Sequence, residues 1–210
     1  MEMSKAYEEF IELIRSDDCR KGDLYSIGLF DRIYDSEVEK VEDLIWETFH
    51  KKKDTGLLIF FPKLKKYDGI NALRKLVNDY KIPSELNMTI AYLLYESTKE
   101  NYYLKLMEKN IVMSQYHFSY IAMMTYLNPC EDLYQTFVRI YINCSEEIAL
   151  TSCINGILYN KGFIKNIYDL NQTASMRDLR VILKKVPKYE RKMMIKKLEK
   201  GEFDQYKYPV

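Results

Sequence analysis

Glycine and proline are scarce in this chain, with 7 Gly and 5 Pro among 210 residues. A sandwich or barrel of that length needs many tight turns, so the shortage points to an all-α fold. Histidine is scarcer still. Only His50 and His117 occur, there is no H-E-x-x-H, and Cys19, Cys130, Cys144 and Cys153 form no C-x-x-C pair. No metal site is expected from such a set. G-x-S-x-G and the Gly-rich phosphate loops are missing too, so the sequence offers no catalytic residue and no cofactor site. An enzyme would have to assemble its groups from distant helices.

Long apolar runs are also absent. The longest, Leu57 to Phe61, is far shorter than the roughly 18 residues a membrane-spanning helix needs. The first ten residues carry Glu2, Glu8 and Glu9 where an export signal would be basic and then apolar. Unpaired cysteines pack as small hydrophobes, and together with the missing signal they predict a cytoplasmic protein with reduced, buried thiols.

What the chain does have is apolar residues at helical spacing. They make up 47% of the sequence against 30% charged, a balance that supports a folded core. Tyr7, Phe10, Ile11 and Ile14 predict a helix near 4 to 16, and Leu24, Ile27, Phe30 and Tyr34 a second with Asp23 as N-cap. Ser36 followed by Glu39 reads as a capping box before Val41, Ile45 and Phe49. Residues 54 to 62 fit either a buried strand or a short helix entered at Asp54 and disturbed at Pro62, with helix favoured. Further helices follow from Asp68-Gly69, after Pro83-Ser84, around Tyr103 to Ile111, and from a Ser114 cap into a line holding His117, Tyr120 and Met124. In that line His117 reads as a core or boundary residue, whereas His50 reads as a helix C-terminus.

Leu133, Tyr134, Phe137, Val138 and Tyr141 form the cleanest stripe. Gly162 then signals a helix end with Phe163 as its apolar follower, Ser175 with Asp178 signals a further start, and Pro187 opens a last helix that Gly201 stops. About a dozen short helices joined by short connections predict antiparallel pairs. One domain over 1–203 and a loose tail over 204–210 are expected.

Charge is polarised although the net charge is only +1. Residues 1 to 50 hold 14 acidic and 6 basic side chains; residues 161 to 210 hold 13 basic and 6 acidic. In an array these poles would lie apart. The acidic pole offers Asp35, Glu39, Glu42 and Asp43 for partner binding; the basic pole offers Lys185, Lys188, Lys192 and Lys196. Of the 19 tyrosines, Tyr95, Tyr102 and Tyr116 fall off the apolar lines and are candidate contact residues.

The recurrence of helix pairs over residues 36 to 200 resembles HEAT-like and armadillo-like α-solenoids. In size, missing motifs and polarised charge the chain is also similar to helical-array immunity proteins of bacteria. These resemblances imply a non-enzymatic protein whose partner is a protein, in the concrete case a toxin domain with its active site occluded. The alternatives are a nucleic-acid-binding solenoid using the basic C-terminal helices and an enzyme with scattered groups. A sequence pI near 7.6 and the acidic first block speak against nucleic acid.

Overall fold

The computed structural model describes residues 4–16 and 25–209, and all regular structure among them is helical. Cys19, Asp23 and Leu24 lie outside the described residues. Backbone proximity divides the chain into two compact units, Met1–Lys81 with Thr89–Lys99, and Ile82–Met88 with Glu100–Val210. Each is described by itself.

In the first unit, α1 (Lys5–Arg15) starts where Ser4 Oγ accepts from the Tyr7 amide, and it buries Ala6, Phe10 and Ile14 at helical spacing. The expected second helix is a single turn, α2 (Ile27–Phe30). α3 (Asp35–Lys52) buries Val41, Ile45 and Phe49. Its cap is not the predicted Ser36. Tyr34 is the N-cap, and Glu37 Oε2 reaches back to the Tyr34 amide at 3.3 Å, so only the glutamate half of a box forms, two residues earlier.

Thr55–Lys63 is a 3-10 helix entered at Asp54, whose carboxylate accepts from the Gly56 amide. Helix therefore prevails over strand there, in the tighter form. Leu57, Leu58, Phe60 and Phe61 are all fully buried, and Phe60 meets the rings of Phe10, Tyr25 and Phe30 at 5.1 to 6.0 Å. A segment enclosed on several sides has no amphipathic period to display, which is why its conformation was ambiguous. α4 (Gly69–Asp79) follows with Asp68 as N-cap. Gly69 is required there because a Cβ would stand 1.9 Å from the Phe61 carbonyl oxygen. α5 (Glu85–Thr98) begins in the second unit and continues in the first.

The second unit contains α6 (Asn101–Met113), α7 (Phe118–Met124), α8 (Glu131–Asn143), α9 (Glu147–Asn160), α10 (Leu170–Ser175), α11 (Arg177–Lys185) and α12 (Arg191–Glu199). Its centre is α8 against α9: Leu133, Phe137 and Tyr141 are fully buried, as are Ile154 and Ile157. The predicted stop at Gly162 is a Schellman motif. Phe163 N donates to Leu158 O, Gly162 N donates to Tyr159 O, Gly162 has φ +71°, and Phe163 is buried. Gly201 ends α12 in the same way, through Glu202 N to Lys197 O and Gly201 N to Leu198 O.

Two predicted caps are corrected. Ser114 and Ser175 finish the helices before them, donating to Ile111 O and Gln172 O. Serine bonds a local carbonyl as readily as it caps a following helix, and its position alone does not separate the two. Beyond residue 203 the chain forms a 3-10 turn, Asp204–Tyr206, and Tyr208 N donates to Phe163 O at 2.9 Å, where a loose tail was expected.

Candidate partner-binding surface

Part of the acidic pole is turned inward, while Asp35, Glu39 and Glu47 stay exposed. Glu37 is buried and takes hydrogen bonds from the Ser4 amide and hydroxyl. Glu42 is only 3% exposed, and its two oxygens accept from the amides of Lys65 and Lys66 at 3.1 and 2.7 Å. Asp43 accepts from Lys66 Nζ and the Tyr67 hydroxyl, and Glu39 pairs with Lys66 at 3.1 Å. The Lys66 ammonium and Tyr67 hydroxyl hold the Asp43 carboxyl below its usual range, against the opposing push of burial. α3 thus uses its carboxylates to fasten the turn that leads into α4. Glu42 and Asp43 are corrected from docking residues to structural ones, while Asp35 stands exposed in the first turn of α3.

The same α3 face carries Trp46, stacked on Tyr67 at 4.6 Å, beside a cavity of about 390 Å³ that Phe49, His50, Phe61 and Lys75 also line. His50 Nδ1 lies 2.8 Å from the Trp46 carbonyl, which can only accept, so Nδ1 carries the proton. His117 is exposed at the N-cap of α7 with Nδ1 2.7 Å from Ser119 Oγ, where a core or boundary position was expected. Among the described residues no three His, Cys, Asp or Glu side chains gather as a metal-ligand set. Cys144 and Cys153 are buried, whereas Cys130 is exposed at the start of α8, against expectation.

The tyrosine candidates divide. Tyr95 is 4% exposed and belongs to the core, because helix α5 is enclosed on more than one side. Tyr102 is 59% exposed, and Tyr116 is half-buried in a left-handed conformation, φ +64°, with its amide bonded to Ile111 O.

The basic pole behaves differently. Arg191, which the charge count places in it, is 6% exposed. It donates to the carbonyls of Tyr141, Cys144 and Val186 and lies over the Tyr141 ring. Lys184 pairs with Glu147 at 3.0 Å. Lys185, Lys188, Lys192 and Lys196 are exposed, and none forms an ion pair among the described residues. Lys192 and Lys196, one turn apart on α12, share a solvent-facing side, and Lys188 stands exposed on the 3-10 turn Lys188–Glu190 before them, while α12 buries Arg191, Ile195 and Leu198. Tyr189 and Met193 stand beside them, 83% and 50% exposed. Neither apolar residue was singled out in the sequence, because composition marks tyrosine without saying which faces water.

Among the described residues no helix is long and apolar enough to cross a membrane. Comparisons with protein-family models, with curated proteins and with solved structures found no match.

Proposed function

We propose that this chain is a protein-binding protein that docks the lysine face of α11 and α12 onto an acidic surface of its partner. The observation that carries the reading is that Lys185, Lys188, Lys192 and Lys196 form no ion pair among the described residues while Tyr189 and Met193 stand exposed beside them. Unpaired charges on one face steer encounter with an opposite field, and exposed aromatic and methionine side chains supply apolar contact once water leaves. Arginine, the residue best suited to reading base edges, is scarce there: Arg191 is buried and Arg180 is held by Thr173 O, which leaves Arg177 exposed at the start of α11. That favours a protein over a nucleic-acid partner.

The concrete version is an immunity protein that covers the active site of a cognate toxin, within a HEAT-like arrangement of helix pairs and a cytoplasmic setting. The test is to express the product of the neighbouring reading frame alone and together with this chain. Toxicity that this chain relieves, and that its Lys185→Glu, Lys188→Glu, Lys192→Glu, Lys196→Glu variant fails to relieve, is the expected result. A harmless neighbour, or equal relief by the variant, removes the immunity reading.

A further inference from the structure

A second feature of Glu100–Val210 is unrelated to the lysine face. Ala122, Thr125 and Tyr126 of α7, Ser152 and Asn155 of α9, Ile167 and Tyr168, Thr173 of α10 and Arg180 of α11 line a pocket of about 310 Å³. That is within the size range of small-molecule sites. Arg180 is the one ionised side chain in the lining. Its Nη2 donates to Thr173 O at 2.7 Å, and Nη1 reaches Asn155 Oδ1 at a long 3.4 Å. No carboxylate lies within ion-pair distance of it among the described residues. Burial alone displaces its ionisation, downward, with no acid opposing the shift.

A half-buried guanidinium without a counter-charge has given up water for two neutral acceptors, which is an unfavourable exchange unless an anion completes it. The donors that remain belong to residues that line the cavity. Arg180 has five N–H groups and uses two. Asn155 accepts through Oδ1, which leaves its Nδ2 to donate, and the Ser152 hydroxyl has no hydrogen bond among the described residues. The Thr125 and Thr173 hydroxyls donate to Ala122 O and Leu170 O and so add nothing for an anion. Nearby Asp169 is occupied at the start of α10 by the Asn171 and Gln172 amides and the Gln172 side chain. Tyr126 and Tyr168 lie parallel, centroids 5.5 Å apart and planes 16° apart, and both are more than half exposed.

We propose that this pocket binds a small organic oxyanion, a carboxylate or phosphate monoester carried on a planar ring, with the anionic head on Arg180, Asn155 and Ser152 and the ring against Tyr168. Charge-assisted hydrogen bonds to a guanidinium are the strong class, and aromatic faces stack on planar bodies.

The test is calorimetric titration of the full chain with phenyl phosphate and with benzoate. Benzyl alcohol, benzamidine and inorganic phosphate serve as controls. Saturable binding of at least one aromatic anion is expected, with no binding of the alcohol or the amidine and weaker binding of inorganic phosphate. Arg180→Gln should weaken binding about tenfold or more, and its thermal midpoint should hold or rise because a desolvated charge has gone. Ser152→Leu, which fills the pocket, should also weaken it. Three results overturn the proposal: neither anion binding at about 10 mM, unchanged binding in a folded Arg180→Gln, or unchanged binding in Ser152→Leu. Inorganic phosphate binding as tightly as phenyl phosphate overturns the assignment of the ring. If Arg180→Gln does not fold, Ser152→Leu and Tyr168→Ala decide.

Discussion

Replacing Arg191 should unfold the second unit's centre more readily than its place in a basic run suggests. The guanidinium holds the Tyr141 and Cys144 carbonyls, at 2.8 and 2.6 Å, at the C-terminal end of α8, where helix carbonyls have no partners of their own. Each hydrogen bond from a charged donor contributes about 1.5–3 kcal/mol net, so the two short bonds give roughly 3–6 kcal/mol. The buried cation's desolvation offsets part of that, and its position over the Tyr141 ring returns some. Arg191→Ala is therefore expected to cost about 3–4 kcal/mol, and Arg191→Met less, because Met keeps an apolar stem in the same space. Urea unfolding followed by circular dichroism checks this. With a slope of roughly 2–3 kcal/mol/M, the midpoint should drop by more than about 1 M. Lys188→Ala, exposed on the same segment, should leave it unmoved. An Arg191→Ala midpoint within error of the parent would refute the reasoning and return Arg191 to the surface charge.

Gly156→Ala should destabilise the second unit by about 1–3 kcal/mol, since the new Cβ would stand 2.5 Å from the Phe137 ring in the α8–α9 contact; thermal melting reads it, and a neutral result would mean the helices can separate at no cost. Glu37 gives a pH signature. Burial raises its pKa, but the Ser4 hydroxyl and amide and the Tyr34 amide outweigh it, so the folded value is lowered. The stabilisation is present above the unfolded carboxylate pKa, about 4.3, and is lost as pH falls through the folded value. The stability advantage of the parent over Glu37→Gln should therefore shrink as urea titrations move from pH 6 toward pH 3; an advantage that stays constant contradicts the bonding.

The helices were legible in the sequence because burial on one side imposes its period on the residues. Phe10 and Ile14, or Phe137 and Tyr141, declare their faces at spacings of four. Stops at Gly162 and Gly201 were legible because a left-handed residue there strongly favours glycine. Elements enclosed on several sides were not: Leu57 to Phe61 shows no period, and Tyr95 looks misplaced on a helix with two packed sides. The surface was legible only in part. Glu42 and Asp43 meet residues 23 to 24 positions away, and nothing local tells a carboxylate bound for a turn from one bound for a partner. Arg180 is not marked in the sequence, for a related reason. Its significance lies in the acid it does not meet, which depends on how α7, α9 and α11 come together.

The proposed recognition surface is the lysine face. Its most direct test is capture from native-cell extract, treated with nuclease, by the parent chain and by the folded variant with Lys185, Lys188, Lys192 and Lys196 all changed to Glu. One acidic protein should be retained by the parent, released as salt rises, and lost with the variant, because that replacement reverses the steering field. Equal retention of the same protein by both chains, or retention that only nuclease abolishes, would contradict it.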